Sequence, residues 1–196
     1  MNLLEAPPPL SVGPPALHIT EPRAPVPMIR QLEAHDADAV FALRRAALAD
    51  RPLAFGAAPK TDHFASREAV EAYLNDAPER VLFGAFLPGA DGEGALVGMA
   101  GLGLTRHSKR RHRASVWGMF VDPAARGQGF GRALVEALAD FARTQGVAHL
   151  DLSVTDAAPE AERLYRAAGF VEYGRLTDSL RVGTERADEV FLTRAL

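Results

Sequence analysis

The sequence contains no cysteine in its 196 residues. That excludes a disulfide framework, a thiolate nucleophile and a cysteine metal site, and it fits a reducing compartment. Positive charge is not in excess either: 22 Lys and Arg stand against 25 Asp and Glu, a formal charge of -3. Domains that hold nucleic acid by bulk electrostatics carry a strong positive surplus, so no nucleic-acid partner is expected. No apolar run approaches the roughly 18 residues of a membrane span. The opening MNLLEAPPPL lacks both a basic start and an unbroken apolar stretch, so it does not read as a secretory signal. A cytoplasmic protein without membrane association is the expectation. Asp and Glu are scattered too widely to suggest a metal set, and no metal is predicted.

What is present is the composition of a globular domain, 47% apolar and 24% charged. Proline is unevenly spread: residues 1–27 hold eight of the fourteen, in APPPL, GPPAL and PRAPVP. Such a segment favours extended conformations and buries little, so it reads as an N-terminal tail, with Met28 as an alternative translation start. Residues 28–196 then read as one domain. MIRQ opens as a strand, followed by a helix begun near His35 or Asp36, on which Val40, Leu43, Ala47 and Leu48 share a face. SREAVEAYLND repeats that logic, with Ser66 as its cap. RVLFGAFL (80–87) and ALVGMAGLGL (95–104), joined by PGADGEG (88–94), predict an antiparallel hairpin. ASVWGMFV (114–121) is a further strand, reached through the basic turn RHSKRRHR. A helix over 130–145, the strand VAHLDLSV (147–154), a helix over 159–168, FVEYGRL and a last strand near DEVFLTRAL complete an α/β domain with one mixed sheet.

Between VWGMFVDP and the helical ALVEALADFA lies RGQGFGR, residues 126–132, with glycine at every second position. The first turn of a helix has backbone amides without partners and a partial positive charge, which suits a phosphate. Glycine removes the Cβ that would keep the phosphate away. Two common phosphate loops fail on spacing. A nucleotide loop needs Lys followed by Ser or Thr, and the two lysines, Lys60 and Lys109, have no such setting. The dinucleotide fingerprint needs glycine at the sixth position from Gly127, where Arg132 stands.

Arg126, Gly129 and Gly131 do fill the pattern Gln/Arg-x-x-Gly-x-Gly/Ala, and AERLYRAAGF follows about 35 residues later. In these motifs, in their order and in their spacing, residues 28–196 resemble the GCN5-related N-acetyltransferase (GNAT) superfamily. The resemblance implies a mostly antiparallel mixed sheet of about six or seven strands, splayed between the fourth and fifth and flanked by about four helices. It implies acetyl-CoA as co-substrate, its pyrophosphate on the loop Arg126, Gly127, Gln128, Gly129, Phe130, Gly131 and Arg132. Its pantetheine arm would pair with the backbone of Met119, Phe120 and Val121. The amide of Met119 or Phe120 would face the thioester oxygen, and Tyr165 would contact the cofactor and protonate the departing thiolate. On its helix Tyr165 neighbours the face of Ala161, Leu164 and Ala168, so a core tyrosine is the competing reading.

Amide formation also needs a deprotonated amine, and an alkylamine with a pKa near 10.4 is less than about one part in a thousand free at pH 7. Many relatives carry a glutamate on the fourth strand; Ser115 stands there in this chain, leaving Ser115 through water or His112 as base candidates. Relatives often have Asn at the cap before the last helix, where this chain has Ala158 followed by Pro159, a poor cap for which Thr155 or Asp156 could substitute. Trp117 reads either as pocket wall or as core. So do Phe55, His63, Phe64 and Tyr73, near the region from Leu53 to Asn75 where an acceptor would bind. The expected acceptor is a small-molecule or peptide amine attacking directly in a ternary complex. The alternative is a non-catalytic acetyl-CoA-binding sensor or regulatory module of the same fold, and the resemblance leaves a homodimer open.

Overall fold

The computed structural model describes residues 27–75, 79–88 and 94–196. The proline-rich tail up to residue 26 and residues 89–93 of the predicted hairpin turn lie outside the described residues. The chain runs β1 (Met28–Gln31), α1 (Ala37–Asp50), α2 (Arg67–Asn75), β2 (Arg80–Phe86), β3 (Leu96–Leu104), β4 (Arg113–Val121), α3 (Phe130–Thr144), β5 (His149–Thr155), α4 (Pro159–Ala167), β6 (Val171–Val182) and β7 (Glu185–Ala195). The strands form one sheet in the order β1-β2-β3-β4-β5-β7-β6. Every pairing is antiparallel except β4 with β5, which α3 joins as a crossover.

Local sequence explains the helix starts. The Ser66 hydroxyl accepts the Ala69 amide at 3.2 Å and caps α2. Asp36 directly precedes α1, but its carboxylate serves the preceding turn: it takes the Glu33 amide at 2.9 Å and both ends of the Arg30 guanidinium at 2.7 Å. β6 runs beyond the expected FVEYGRL because the bulge between Leu176 and Leu180 interrupts alternation without ending the strand. Asp178 sits there at φ 53° and donates its amide to Asp188 at 3.0 Å.

Two cores lie on the two faces of the sheet. α1 and α2 cover one with Leu32, Val40, Leu43, Phe64, Val70, Leu82 and Met99. α3 and α4 cover the other with Phe130, Leu134, Leu138, Leu150, Tyr165 and Leu192. Among the described residues no helix is long and apolar enough to cross a membrane.

Candidate active site

β4 and β5 pair only where Arg113, Ala114 and Ser115 face His149, Leu150 and Asp151. Arg113 pins that closed end by binding Asp151 and, at 3.1 Å, Thr193. Beyond it the two strands diverge, so the β5-facing backbone of β4 from Val116 onward has lost its ladder partner. A second irregularity falls on the same stretch. Gly101 pairs with Trp117 and Met99 with Phe120, leaving Gly118 and Met119 opposite Ala100 alone. This bulge, with Gly118 at φ 64°, bends β4 and turns its backbone groups toward the gap. Buried backbone donors without partners are scarce in proteins, so an internal strand edge of this kind is suited to pair with an extended ligand.

The gap widens into a cleft of about 380 Å³ lined by Trp117 to Val121, by Arg126, Gly127, Gly129, Phe130, Gly131 and Arg132, and by Ala158, Ala161, Leu164 and Tyr165 of the α4 region. The three glycines do different work. Gly127 and Gly129 have φ 78° and 88°, where side chains are strained, and a Cβ on either would meet none of the described residues within 4 Å. Gly129 is the residue before α3, so the open space adjoins the first amides of that helix. Gly131 is needed for packing instead: a Cβ there would stand 2.9 Å from Leu164 Cδ2 of α4. Arg126 fastens the loop, donating to the Val121 carbonyl at 3.0 Å and to Asp50 at 2.6 Å. Gln128 turns back to the Ala124 carbonyl at 3.3 Å and does not line the cleft. Arg51, Arg126 and Arg132 outnumber Asp50 and Glu160 in the lining, a balance that favours an anion.

Tyr165 is 5% exposed, packs edge-on against Phe170 and lines the cleft. Burial pushes its phenol well above the ordinary tyrosine range, so it stays protonated at working pH. Ala158 is the residue before α4, with no side-chain cap. Neither expected substitute takes that place: the Thr155 hydroxyl donates to the Leu53 carbonyl at 2.8 Å, and Asp156 accepts the Asp188 amide at 3.1 Å. Ala158→Asn is therefore expected to raise stability by about 1 kcal/mol in urea unfolding, by capping the bare first turn; an unchanged or lowered midpoint would show that the side chain cannot reach it.

A second cavity, of about 250 Å³, adjoins the first and shares Ala54, Phe55, Val116, Trp117, Gly118, Ser153 and Val154 with it. Its other walls include Arg44, His63, Thr155 and Glu189. The two cavities meet at the β4 bulge. His63 leans on Trp117 with ring centroids 5.3 Å apart. Burial lowers its pKa, the Asp62 charge partly opposes that, and Arg44 and Arg80 add to it, so the imidazole is neutral at pH 7.

The predicted pocket residues divide. His63 lines the second cavity, and Phe55 and Trp117 line both. Phe64 is 2% exposed core, and Tyr73 packs on it at 4.9 Å, its phenol pushed up to about 12 by burial. Ser115 and His112 are not brought to either cavity. Ser115 is exposed at the last position of β4 that pairs with β5, and the His112 carbonyl receives the Ala148 and His149 amides at 2.9 Å at the closed end of the sheet. The basic turn over 106–112 sits at that end too and lines neither cavity. Arg44, Asp62 and Glu189 went unnoticed in the sequence. Arg44 had a signal, a charge set inside the apolar stripe Val40, Leu43, Ala47; its partner Asp62, 18 residues on, had none. Among the described residues no group of His, Asp and Glu is placed to hold a metal ion.

Comparison with known proteins agrees with this geometry. Residues 42–170 match the model of the "Acetyltransferase (GNAT) family". Streptothricin acetyltransferase of Streptomyces lavendulae is 38% identical over 101 residues, 52% of this chain and 50% of that one. The N-alpha-acetyltransferase RimI of Mycobacterium tuberculosis is 41% identical over 87 residues, 44% and 52% of the two chains. The matches thus span about half the length of these relatives. A Salmonella typhimurium protein solved with its cofactor acetyl-CoA superposes with a TM-score of 0.73 at 20% identity, over 87% of this chain and 94% of that one, a likeness of fold. The divided sheet, the glycine loop before α3 and the family match over residues 42–170 have one reading: the chain belongs to the GNAT acetyltransferase family.

Proposed function

We propose that the protein is an acyltransferase that moves an acetyl group from acetyl-CoA to a primary amine by direct attack in a ternary complex. The observation that carries this reading is the meeting of two cavities at the β4 bulge, one walled by the glycine loop and Tyr165, the other by His63 and Glu189. The cleft fits acetyl-CoA on its own geometry: clear space beside Gly127 and Gly129, and an unpaired strand edge along Met119 to Val121. The amides of Gln128 to Arg132 would hold the pyrophosphate and the backbone of Met119 to Val121 the pantetheine arm. Bound there, the cofactor supplies an activated thioester.

The chain's own residues supply the rest. The amide of Met119 or Phe120 would donate to the thioester oxygen. Tyr165 presents a protonated phenol toward the departing sulfur; the same burial weakens it as an acid, so it acts by hydrogen bonding as much as by full proton transfer. Neutral His63, which lines the second cavity where Ser115 and His112 do not, takes the amine proton directly or through water. Tyr165→Phe should lower kcat by about 10²-fold or more in a CoA-release assay, while acetyl-CoA affinity stays within about twofold. Unchanged kcat would remove Tyr165 from the reaction.

His63 gives a pH prediction. Its imidazole works when deprotonated and its pKa lies below the ordinary value of about 6.5, so kcat/KM should fall as pH drops through that lowered pKa. The acid limb should vanish in His63→Gln, with a lower plateau. A limb of unchanged position in the variant would assign the proton to another group. The alternative of a non-catalytic acetyl-CoA-binding module predicts binding with no thiol release from any amine.

A further inference from the structure

We propose that the second cavity takes a small amine that also carries a carboxylate, an acceptor of the α-amino-acid class, with the acid on Arg44 Nη1 and the ammonium beside Glu189. This rests on the acetyltransferase reading above and narrows it.

Arg44 is 3% exposed, on the face of α1 that packs against the sheet. Its Nε and Nη2 hold the two oxygens of Asp62 at 2.9 Å each, in a fork buried with it. That pair offsets the guanidinium charge and uses one edge of the group, Nε with Nη2. The third nitrogen, Nη1, has no hydrogen-bond partner among the described residues and is buried. Buried donors without partners are uncommon in native proteins and call for a reason. Nη1 lies beside the bulge, 3.9 Å from where a Cβ on Gly118 would stand, and Arg44 and Gly118 both line the second cavity. The Phe55 ring, centred 5.0 Å from the guanidinium carbon, forms part of the same wall. An oxygen entering past Phe55 would find a donor already oriented by Asp62. A carboxylate makes the stronger bond to it, since charge-assisted hydrogen bonds are roughly twice as strong as neutral ones.

Glu189 supplies the negative charge in the same lining. It lies opposite Thr155 in the β5–β7 ladder, so the two side chains share a face, and both line the cavity. Ser179 donates to its Oε2 at 3.0 Å; among the described residues that is the one hydrogen bond its carboxylate receives, leaving Oε1 for a ligand ammonium. A cavity of about 250 Å³ is smaller than the range for drug-sized ligands and suits a molecule of amino-acid dimensions. With the acid on Arg44, the adjacent amine is held near Gly118, where the two cavities join.

The test compares matched acceptors on the full-length protein: the twenty L-α-amino acids, their α-amides and their decarboxylated amines, each with acetyl-CoA and read by CoA release. At least one amino acid should be acetylated with kcat/KM about tenfold or more above its amide and its decarboxylated form. Arg44→Lys should erase that preference, and Glu189→Gln should raise KM for acid and amide alike. Equal use of acid and amide, preference for the decarboxylated amine, or no amino acid accepted would each overturn the proposal. The acceptor comparison on the unmodified protein stands even if Arg44→Lys fails to fold. Stabilisation by acetyl-CoA, measured separately, shows whether the acetyltransferase reading survives such a failure.

Discussion

Gly129→Val is expected to abolish the stabilisation that acetyl-CoA confers, with affinity reduced by about 100-fold or more. Two effects act together. Gly129 has φ 88°, a region that a β-branched residue enters only under strain of about 1–3 kcal/mol. Any relaxation reorients the first amides of α3, which the pyrophosphate needs. A Cβ retained at that φ would project into space that is clear of protein within 4 Å, where the ligand would lie. Gly131→Ala is the control. Its Cβ would meet the mobile end of Leu164, 2.9 Å away, so a small loss of stability is expected with a far smaller loss of binding. Titration of both variants with acetyl-CoA, followed by calorimetry, separates a loop that binds from a loop that merely turns; equal affinity in Gly129→Val would mean the latter.

The largest expected effect on stability is at Asp62, which is 5% exposed. Asp62→Ala leaves the Arg44 guanidinium buried without its counter-charge, which costs about 3–5 kcal/mol. For a chain of this size that corresponds to a fall of roughly 6–20 °C in Tm. Replacing both members, as in Arg44→Met with Asp62→Leu, should recover most of the loss, because the penalty lies in the orphaned charge rather than in the missing pair. The pair also sets a pH dependence. Burial alone would raise the Asp62 carboxyl; the hydrogen bonds and charge of Arg44 outweigh it, and the net pKa is lowered. A carboxyl depressed in the folded state contributes stability above its unfolded pKa of about 3.8, and that contribution disappears as pH falls through the folded value. Acid unfolding below about pH 4 should therefore show a smaller drop in Asp62→Ala than in the parent. Thermal melts across pH 2 to 7 read both effects, and a variant as stable as the parent at pH 7 would contradict them.

The architecture was legible where a local pattern determines it. The α1 stripe of Val40, Leu43, Ala47 and Leu48 is buried as its spacing implied. The strand from Ala114 to Val121 and the helix from Phe130 emerged close to their expected bounds, since apolar runs and glycine punctuation define them. β6 was cut short because a bulge at Asp178 looks, in sequence, like an end. The cleft was legible as a motif, yet the motif conceals that Gly131 serves the packing of α4 while Gly127 and Gly129 serve the loop conformation. The second cavity was legible only in fragments. Phe55 and His63 could be suspected as aromatic residues in the region from Leu53 to Asn75 and Trp117 as a strand aromatic, whereas Glu189 arrives from the far end of the chain through the β5–β7 ladder. Register across a sheet depends on long-range pairing that no local window contains.

The most direct test of the central claim is thermal unfolding of the protein with and without acetyl-CoA at about 100 times its Kd, with NAD and ATP as controls. Binding at that ratio adds about 2.7 kcal/mol, which for a chain of this size raises Tm by roughly 5–11 °C. The account predicts that rise with acetyl-CoA and no comparable rise with NAD or ATP. Equal melting temperatures with and without acetyl-CoA would contradict it, and the reading of the cleft as an acetyl-CoA site would fall.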